Sequence, residues 1–472
     1  MKNITFTLAL MLGFVQLFAT NLQITNVEFR QFRRTTGEQK VKMTVRWDNA
    51  WRNSKNHDAA WIMVKFVSDD NGYAHARIAK ERHRIIDGSA KARITVPEDQ
   101  TGFFLTLDEN YRGDVEWTIE VALDPESLRR VNVRSFLCRV YGVEMVYIPQ
   151  GAFTLGDPDT TANRFGSFYQ SDAQGQQAGL YQIASEDQTI EVGPEQGKLY
   201  YQAEYAAYQG DQKGPIPASY PKGYQAFYIM KYELQQGEYA TFLNTLSNDQ
   251  AIARANFGGP NYLEYRGSIT LKGQQFHAAS PHRPCNYVSW DDGLAFADWA
   301  GLRPMTELEF TKACRGTSKP IAGEYPWGTD NKDQLKRTIT MDDELVLLDG
   351  FDESQLKDDN RAVFGASYYW VMDLAGSVWE RVITIGDERG RAYTGQHGDG
   401  RINGHGYANV EDWPDGDNTP GGYGFRGGGY YRHGHNFNEF LPHSPIAYRT
   451  YGAWSGGYRT IAYSNRYVRT AR

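Results

Sequence analysis

The chain has 472 residues (53.6 kDa), a formal charge of −7, 48 glycines, 31 tyrosines and three cysteines. That length suits two or three domains at roughly 100–200 residues each. A mean hydropathy of −0.60 with so much glycine and tyrosine excludes a helical membrane bundle, a coiled coil and an all-helical fold, since both residue types suit turns and strands better than helix interiors. Residues 21–140 carry 20 basic and 17 acidic groups and residues 141–472 carry 29 and 40, so no concentrated basic surface marks a nucleic-acid partner.

Lys2 precedes an apolar run over residues 4–18, and Ala19-Thr20-Asn21 places small residues at its end. This is the pattern of a signal peptide over residues 1–20, and at about 15 residues the run is shorter than the ~20 that span a bilayer. The expectation is an exported protein of a bacterial envelope, periplasmic or secreted, with no transmembrane segment after cleavage. Residues 41–47, 93–96 and 115–121 alternate apolar and polar side chains, and residues 61–66 are continuously apolar, as in a central strand. Residues 22–138 therefore read as an all-β sandwich domain. His57, His75 and His83 read as structural histidines rather than ligands.

From about residue 140 the pattern changes to short strands, a few helices and long loops, with residues 157–220 and 385–429 read as irregular glycine-rich stretches. Ser289 with Asp292, and Thr306 with Glu309, each form a capping box ahead of an apolar helical stripe. A third helix is predicted over residues 235–246, burying Tyr239, Phe242, Leu243 and Leu246. Cys138, Cys285 and Cys314 allow at most one intramolecular disulfide, and they read as small buried apolar residues.

Seven collinear blocks in residues 141–472 resemble the formylglycine-generating enzyme, or sulfatase-modifying factor, family. They are residues 144–156 (EMVYIPQGAFTLG), 227–233 (FYIMKYE), 286–292 (NYVSWDD), 299–310 (WAGLRPMTELEF), 325–328 (YPWG), 372–380 (MDLAGSVWE) and 426–429 (RGGG). The resemblance implies an α+β, loop-rich domain with a C-type-lectin-like fold over residues 141–472, following the all-β sandwich. It also implies the chemistry to look for. Enzymes of the family hold copper on two cysteines after the R-G-G block, as soft thiolates suit Cu(I). Here the last cysteine is Cys314, so no copper and no formylglycine-generating activity are expected. An iron-dependent branch uses histidines with an H-x-x-x-E pair from a helical N-terminal domain. That pair is not evident, and His397, His405, His433, His435 and His443 read as loop residues.

The resemblance further implies structural Ca²⁺ held by Asp373, the Gly376 and Val378 carbonyls and Glu380, a set of hard oxygen donors. Ser377 stands where the family usually has Asn. A second implied site comprises Asp349 and the Phe351 carbonyl, without an evident upstream Asn. The alternative for Glu380 is a buried carboxylate paired with an arginine such as Arg426.

The last 47 residues carry seven Arg and seven Tyr against one acidic residue, Glu439. Such a mixture is the composition of a recognition surface, with Tyr430, Tyr431, Arg432, Tyr448, Arg449, Tyr451, Trp454 and Tyr458 as candidates; ordinary framework packing is the alternative. The function expected is a non-catalytic binding or scaffold protein taking a protein or glycan ligand at the cell envelope. The alternatives are a family oxidoreductase using other residues, and a carbohydrate-binding or retroelement-diversified ligand-binding protein.

Overall fold

The computed structural model describes residues 22–31, 38–68, 72–128, 136–202, 208–255, 257, 262–335, 337–339, 345–347, 357, 359–416, 420–429, 444–456 and 459–471. The expected signal peptide lies outside the described residues. The first strands are β1 (Leu22–Gln31), β2 (Gln39–Arg52), β3 (Asp58–Ser68), β4 (Tyr73–Ala76), β5 (Arg84–Gly88), β6 (Ala92–Thr95), β7 (Phe103–Leu107), β8 (Tyr111–Leu123) and β9 (Phe136–Ile148). One sheet runs in the order β1-β2-β8-β5. Its inner residues, among them Val41, Met43, Val45, Trp117 and Ile119, pack on Ala60, Ile62, Val64 and Phe66 of β3 and on Phe103 and Leu105 of β7.

The second sheet joins the two halves of the chain. From its free edge inward it runs β6, β7, β3 and β9, and continues into strands Phe227–Met230, Tyr467–Thr470 and Arg303–Pro304, with β4 paired to β3. The expected domain boundary at 138–141 thus falls inside one strand. β9 pairs with β3 from Phe136 to Val146, and its last residues, Met145 to Ile148, also pair with Phe227–Met230. This explains why residues 61–66 are apolar on both faces: Ala60, Ile62 and Val64 face the first sheet, while Ala59, Trp61 and Met63 belong to the core that contains the helices.

Five helices are described: α1 (Gln236–Leu243), α2 (Asn248–Arg254), α3 (Trp290–Trp299), α4 (Glu307–Arg315) and α5 (Glu388–Arg391). The capping boxes at Ser289/Asp292 and Thr306/Glu309 start α3 and α4. The Trp61 indole of β3 donates to the Ala300 carbonyl at the end of α3, 2.8 Å away, so β3 is anchored directly to a helix of the second half. Residues 157–220 are more regular than expected. They contain a five-stranded sheet whose strands, Tyr169–Ser171, Gln177–Gly179, Ile190–Val192, Leu199–Tyr200 and Gly214–Ile216, have only two or three residues each. Segments so short carry too little periodicity to be recognised from sequence.

Buried polar groups tie the same junction. Lys65 is fully buried, and its ammonium donates to the carbonyls of Trp299 (2.8 Å) and Gly400 (3.0 Å). His75 Nε2 lies 2.7 Å from the Thr101 carbonyl and must be the donor there, so Nδ1 accepts from Lys65 at 3.0 Å. Asp58 at the start of β3 is fully buried with Oδ2 unpaired among the described residues, and burial pushes its carboxyl up to about 8.

Candidate functional site

The site that the family blocks point to is assembled where α4, strand Trp379–Ile383 and the C-terminal strands meet. Thr306 caps α4, so Glu307 enters the first helical turn with its carboxylate turned inward. Glu307 accepts from Arg449 Nε (2.6 Å) and Nη2 (3.0 Å), from Thr384 Oγ1 (3.0 Å) and from the Ile385 amide (2.9 Å). Arg426 stands 3.6 Å away, and all three charged groups are buried. Burial, reinforced by Arg449, lowers Arg426 to about 10 despite Glu307. Two guanidiniums share one carboxylate, and the group fastens the C-terminal segment onto α4.

A second buried cluster lies beside the first, since Glu380 is the register partner of Arg426. Glu380 is gripped by Arg466, with Nε 2.9 Å from Oε2 and Nη2 2.8 Å from Oε1. Arg466 also donates to the carbonyls of Met230 and Met372, both at 2.9 Å. The arginine partner of Glu380 is therefore Arg466, whereas Arg426 belongs to the Glu307 cluster. The loop before Glu380 turns through left-handed backbone at Asp373 (φ 56°), Gly376 (φ 92°) and Ser377 (φ 58°). Glu233 lies just before α1 and reaches the same loop. Its Oε1 accepts from the Val378 amide at 3.1 Å, and its buried Oε2 has no partner among the described residues. Burial, then the neighbouring Glu380 and Asp373 carboxylates, push Glu233 well above the usual carboxylate range.

The implied calcium residues fall within this arrangement. Glu233, Asp373 and Glu380 gather around one arginine, which already holds both oxygens of Glu380, so among the described residues Glu233 Oε2 is the carboxylate oxygen of this group left without a partner. Among the described residues no three His, Cys, Asp or Glu side chains converge as a ligand set. A cation here would therefore draw on backbone oxygens, as the Gly376 and Val378 carbonyls supply in the implied set. Asp349 and Phe351 of the second implied site lie outside the described residues.

The terminal recognition residues separate into groups. Tyr430, Tyr431, Arg432 and Tyr458 lie outside the described residues. Arg449 is buried on Glu307, and Tyr451 is buried with its ring centroid 5.2 Å from that of Trp379. These two are framework, contrary to the surface role expected of them, because composition shows neither burial nor the distant carboxylate. Tyr448 and Trp454 are half-buried. Tyr448 stacks on Phe165 at 4.0 Å, and Arg164 covers the same phenyl ring at 4.5 Å.

All three cysteines are free thiols. Cys285 and Cys314 are fully buried, and burial raises both thiols well above the ordinary range. Neither carries the thiolate character that nucleophilic or metal chemistry needs. His397 Nε2 accepts from the Thr470 amide at 2.9 Å, which commits its lone pair. His433, His435 and His443 fall outside the described residues. Sequence reading did not single out Glu233 or Arg466 as site residues. Glu233 was within a recognised block, and Arg466 had no local signal.

Residues 138–450 match the family described as the sulfatase-modifying factor enzyme 1-like domain. The chain belongs to this family. It is similar to the formylglycine-generating enzyme of Bos taurus, with 32% identity over 151 residues, 26% of this chain and 38% of that protein. It is similar also to the formylglycine-generating enzyme of Thermomonospora curvata, 30% identical over 101 residues, 21% of this chain and 33% of the relative. A third relative is the inactive C-alpha-formylglycine-generating enzyme 2 of Bos taurus, 35% identical over 98 residues, 21% of this chain and 31% of that protein. The matched stretches thus span little more than a third of these relatives. These relatives thus include proteins named as enzymes and one named as inactive.

Proposed function

We propose that the chain is an exported, non-catalytic binding or scaffold protein built on the sulfatase-modifying-factor framework, with an all-β sandwich fused to a C-type-lectin-like domain. The observation that carries this reading is the cysteine arrangement. No cysteine follows Cys314 in the last 158 residues, and both Cys285 and Cys314 are buried with raised thiols. Copper on a thiolate pair has no donors in the segment where the family's enzymes carry it. In this reading Ca²⁺ at Asp373, Gly376, Val378 and Glu380 is structural, and the ligand is a protein or glycan of the cell envelope.

The recognition face would be formed by the terminal segment around Tyr448 and Trp454, together with Tyr430, Tyr431, Arg432 and Tyr458. Half-buried aromatics beside an exposed Arg164 offer area and hydrogen bonding at low entropic cost. The decisive experiment is incubation of the purified protein with copper and a cysteine-containing sulfatase-type peptide, followed by mass spectrometry. An unchanged peptide is the result expected; conversion of its cysteine to formylglycine refutes the non-catalytic reading. A pull-down from the native envelope with Tyr448→Ala/Trp454→Ala then tests the face, and undiminished capture of every partner removes it.

A further inference from the structure

Strand β5 is an edge of the four-stranded sheet: it pairs with β8 on one side, and among the described residues no strand pairs with the other. It carries the tetrapeptide Arg84-Ile85-Ile86-Asp87. The register against β8 is Arg84↔Glu120, Ile85↔Ile119 and Asp87↔Thr118, with an irregularity between Ile85 and Asp87. Ile86 is the extra residue of this bulge. A bulge resets the alternation of side chains. Arg84 and Asp87, opposite Glu120 and Thr118, thus share the outer face, while Ile85, opposite the core residue Ile119, shares the inner rim with Ile86.

Both isoleucines are open to solvent, Ile85 at 38% and Ile86 at 51%. Adjacent exposed isoleucines on an unpaired edge are unusual, because such edges are ordinarily covered or made polar to prevent strand addition. The flanking charges are also uncommitted. Among the described residues Arg84 has no ion-pair partner. Glu120, its cross-strand neighbour, is instead bridged by Lys40 at 3.2 Å. Among the described residues Asp87 accepts only from the Gly88 amide, at 2.9 Å.

The four residues are self-complementary under a twofold rotation. We propose that β5 is the contact through which two copies of this chain form a homodimer, pairing antiparallel about an axis between Ile85 and Ile86. Arg84 then faces the partner's Asp87 on the outer side, and the reverse pair follows by symmetry. Ile85 and Ile86 meet the partner's Ile86 and Ile85 at the rim, which joins the apolar cores of the two first sheets. The occupant is a second copy of the chain, because the Arg84–Asp87 spacing makes the strand its own charge complement when it pairs antiparallel.

The test is sedimentation velocity of the whole chain from micromolar to millimolar concentration. Wild type should show a concentration-dependent monomer–dimer equilibrium. Arg84→Glu places like charges opposite one another twice per dimer, as does Asp87→Arg, and each should weaken association roughly tenfold or more. The double variant Arg84→Glu/Asp87→Arg restores both pairs with reversed sign and should dimerise close to the wild-type level. Ile86→Lys should abolish the dimer. All four positions are exposed, so unchanged melting temperatures will show that the variants are folded. A monomer at every concentration overturns the proposal, as does a dimer indifferent to Ile86→Lys or a double variant no better than either single one.

Discussion

Replacing Glu307 by Gln isolates charge from shape at the centre of the α4 cluster. Glu307 is the carboxylate that pairs with Arg449 at 2.6 Å and Arg426 at 3.6 Å, and all three groups are buried. The amide nearly preserves volume, so cavity formation contributes little. The substitution leaves two guanidiniums in the interior without a counter-charge. Breaking a buried pair in this way costs about 3–5 kcal/mol. At roughly 2 °C per kcal/mol for a large domain, the melting temperature should fall by about 6–10 °C. Tryptophan fluorescence during thermal and urea unfolding reads the change. Arg449→Met and the double variant complete a cycle, in which the double variant should lose less than the sum of the singles, because both single variants forfeit the same Glu307–Arg449 interaction. A loss under about 1 kcal/mol for Glu307→Gln, or strict additivity, would refute the view that this cluster fastens the C-terminal segment.

Three further outcomes follow from the buried polar groups. Lys222 is fully buried and its ammonium donates to the carbonyls of Glu186 (2.8 Å), Pro217 (2.8 Å), Ala218 (3.2 Å) and Tyr220 (3.1 Å). Lys222→Ala should destabilise by about 2–3 kcal/mol, with partial recovery in ammonium salts relative to lithium; equal melting temperatures in both salts would contradict a carbonyl cage for a cation. Asp58 has a folded value near 8 against 3.8 when unfolded, so its contribution is fully present below pH 3.8 and is lost as pH rises towards 8. The unfolding free energy of Asp58→Asn, read from urea titrations, should therefore gain on wild type by up to about 1.4 kcal/mol per pH unit across that window, and parallel pH profiles would count against the assignment. Chelation of calcium should lower the melting temperature of wild type and leave Asp373→Ala unaffected, whereas identical responses would eliminate the Asp373 site.

Local patterns announced many of the elements. The alternation in residues 41–47 and 115–121 became β2 and β8, and the apolar run at 61–66 became a strand covered on both faces. Ser289/Asp292 and Thr306/Glu309 started helices where their spacing said they would, since a capping box acts within four residues. The small sheet in residues 157–220 was missed, as its strands are too short for periodicity to register.

By itself the sequence determined the family blocks, the lack of cysteine after Cys314, and the residue types able to hold a hard cation. It could not say where the basic C-terminal strip would go. Arg449 meets Glu307 across 142 positions, Arg466 meets Glu380 across 86, and Arg469 meets Asp99 across 370. Those arginines read as a surface because their counter-charges lie in other segments. Only the tertiary structure brings each pair together, and burial then turns an apparent recognition strip into internal counter-charge. The same holds for the domain boundary: composition changes near residue 140, yet β9 carries hydrogen bonds to both halves, and backbone pairing makes them one sheet.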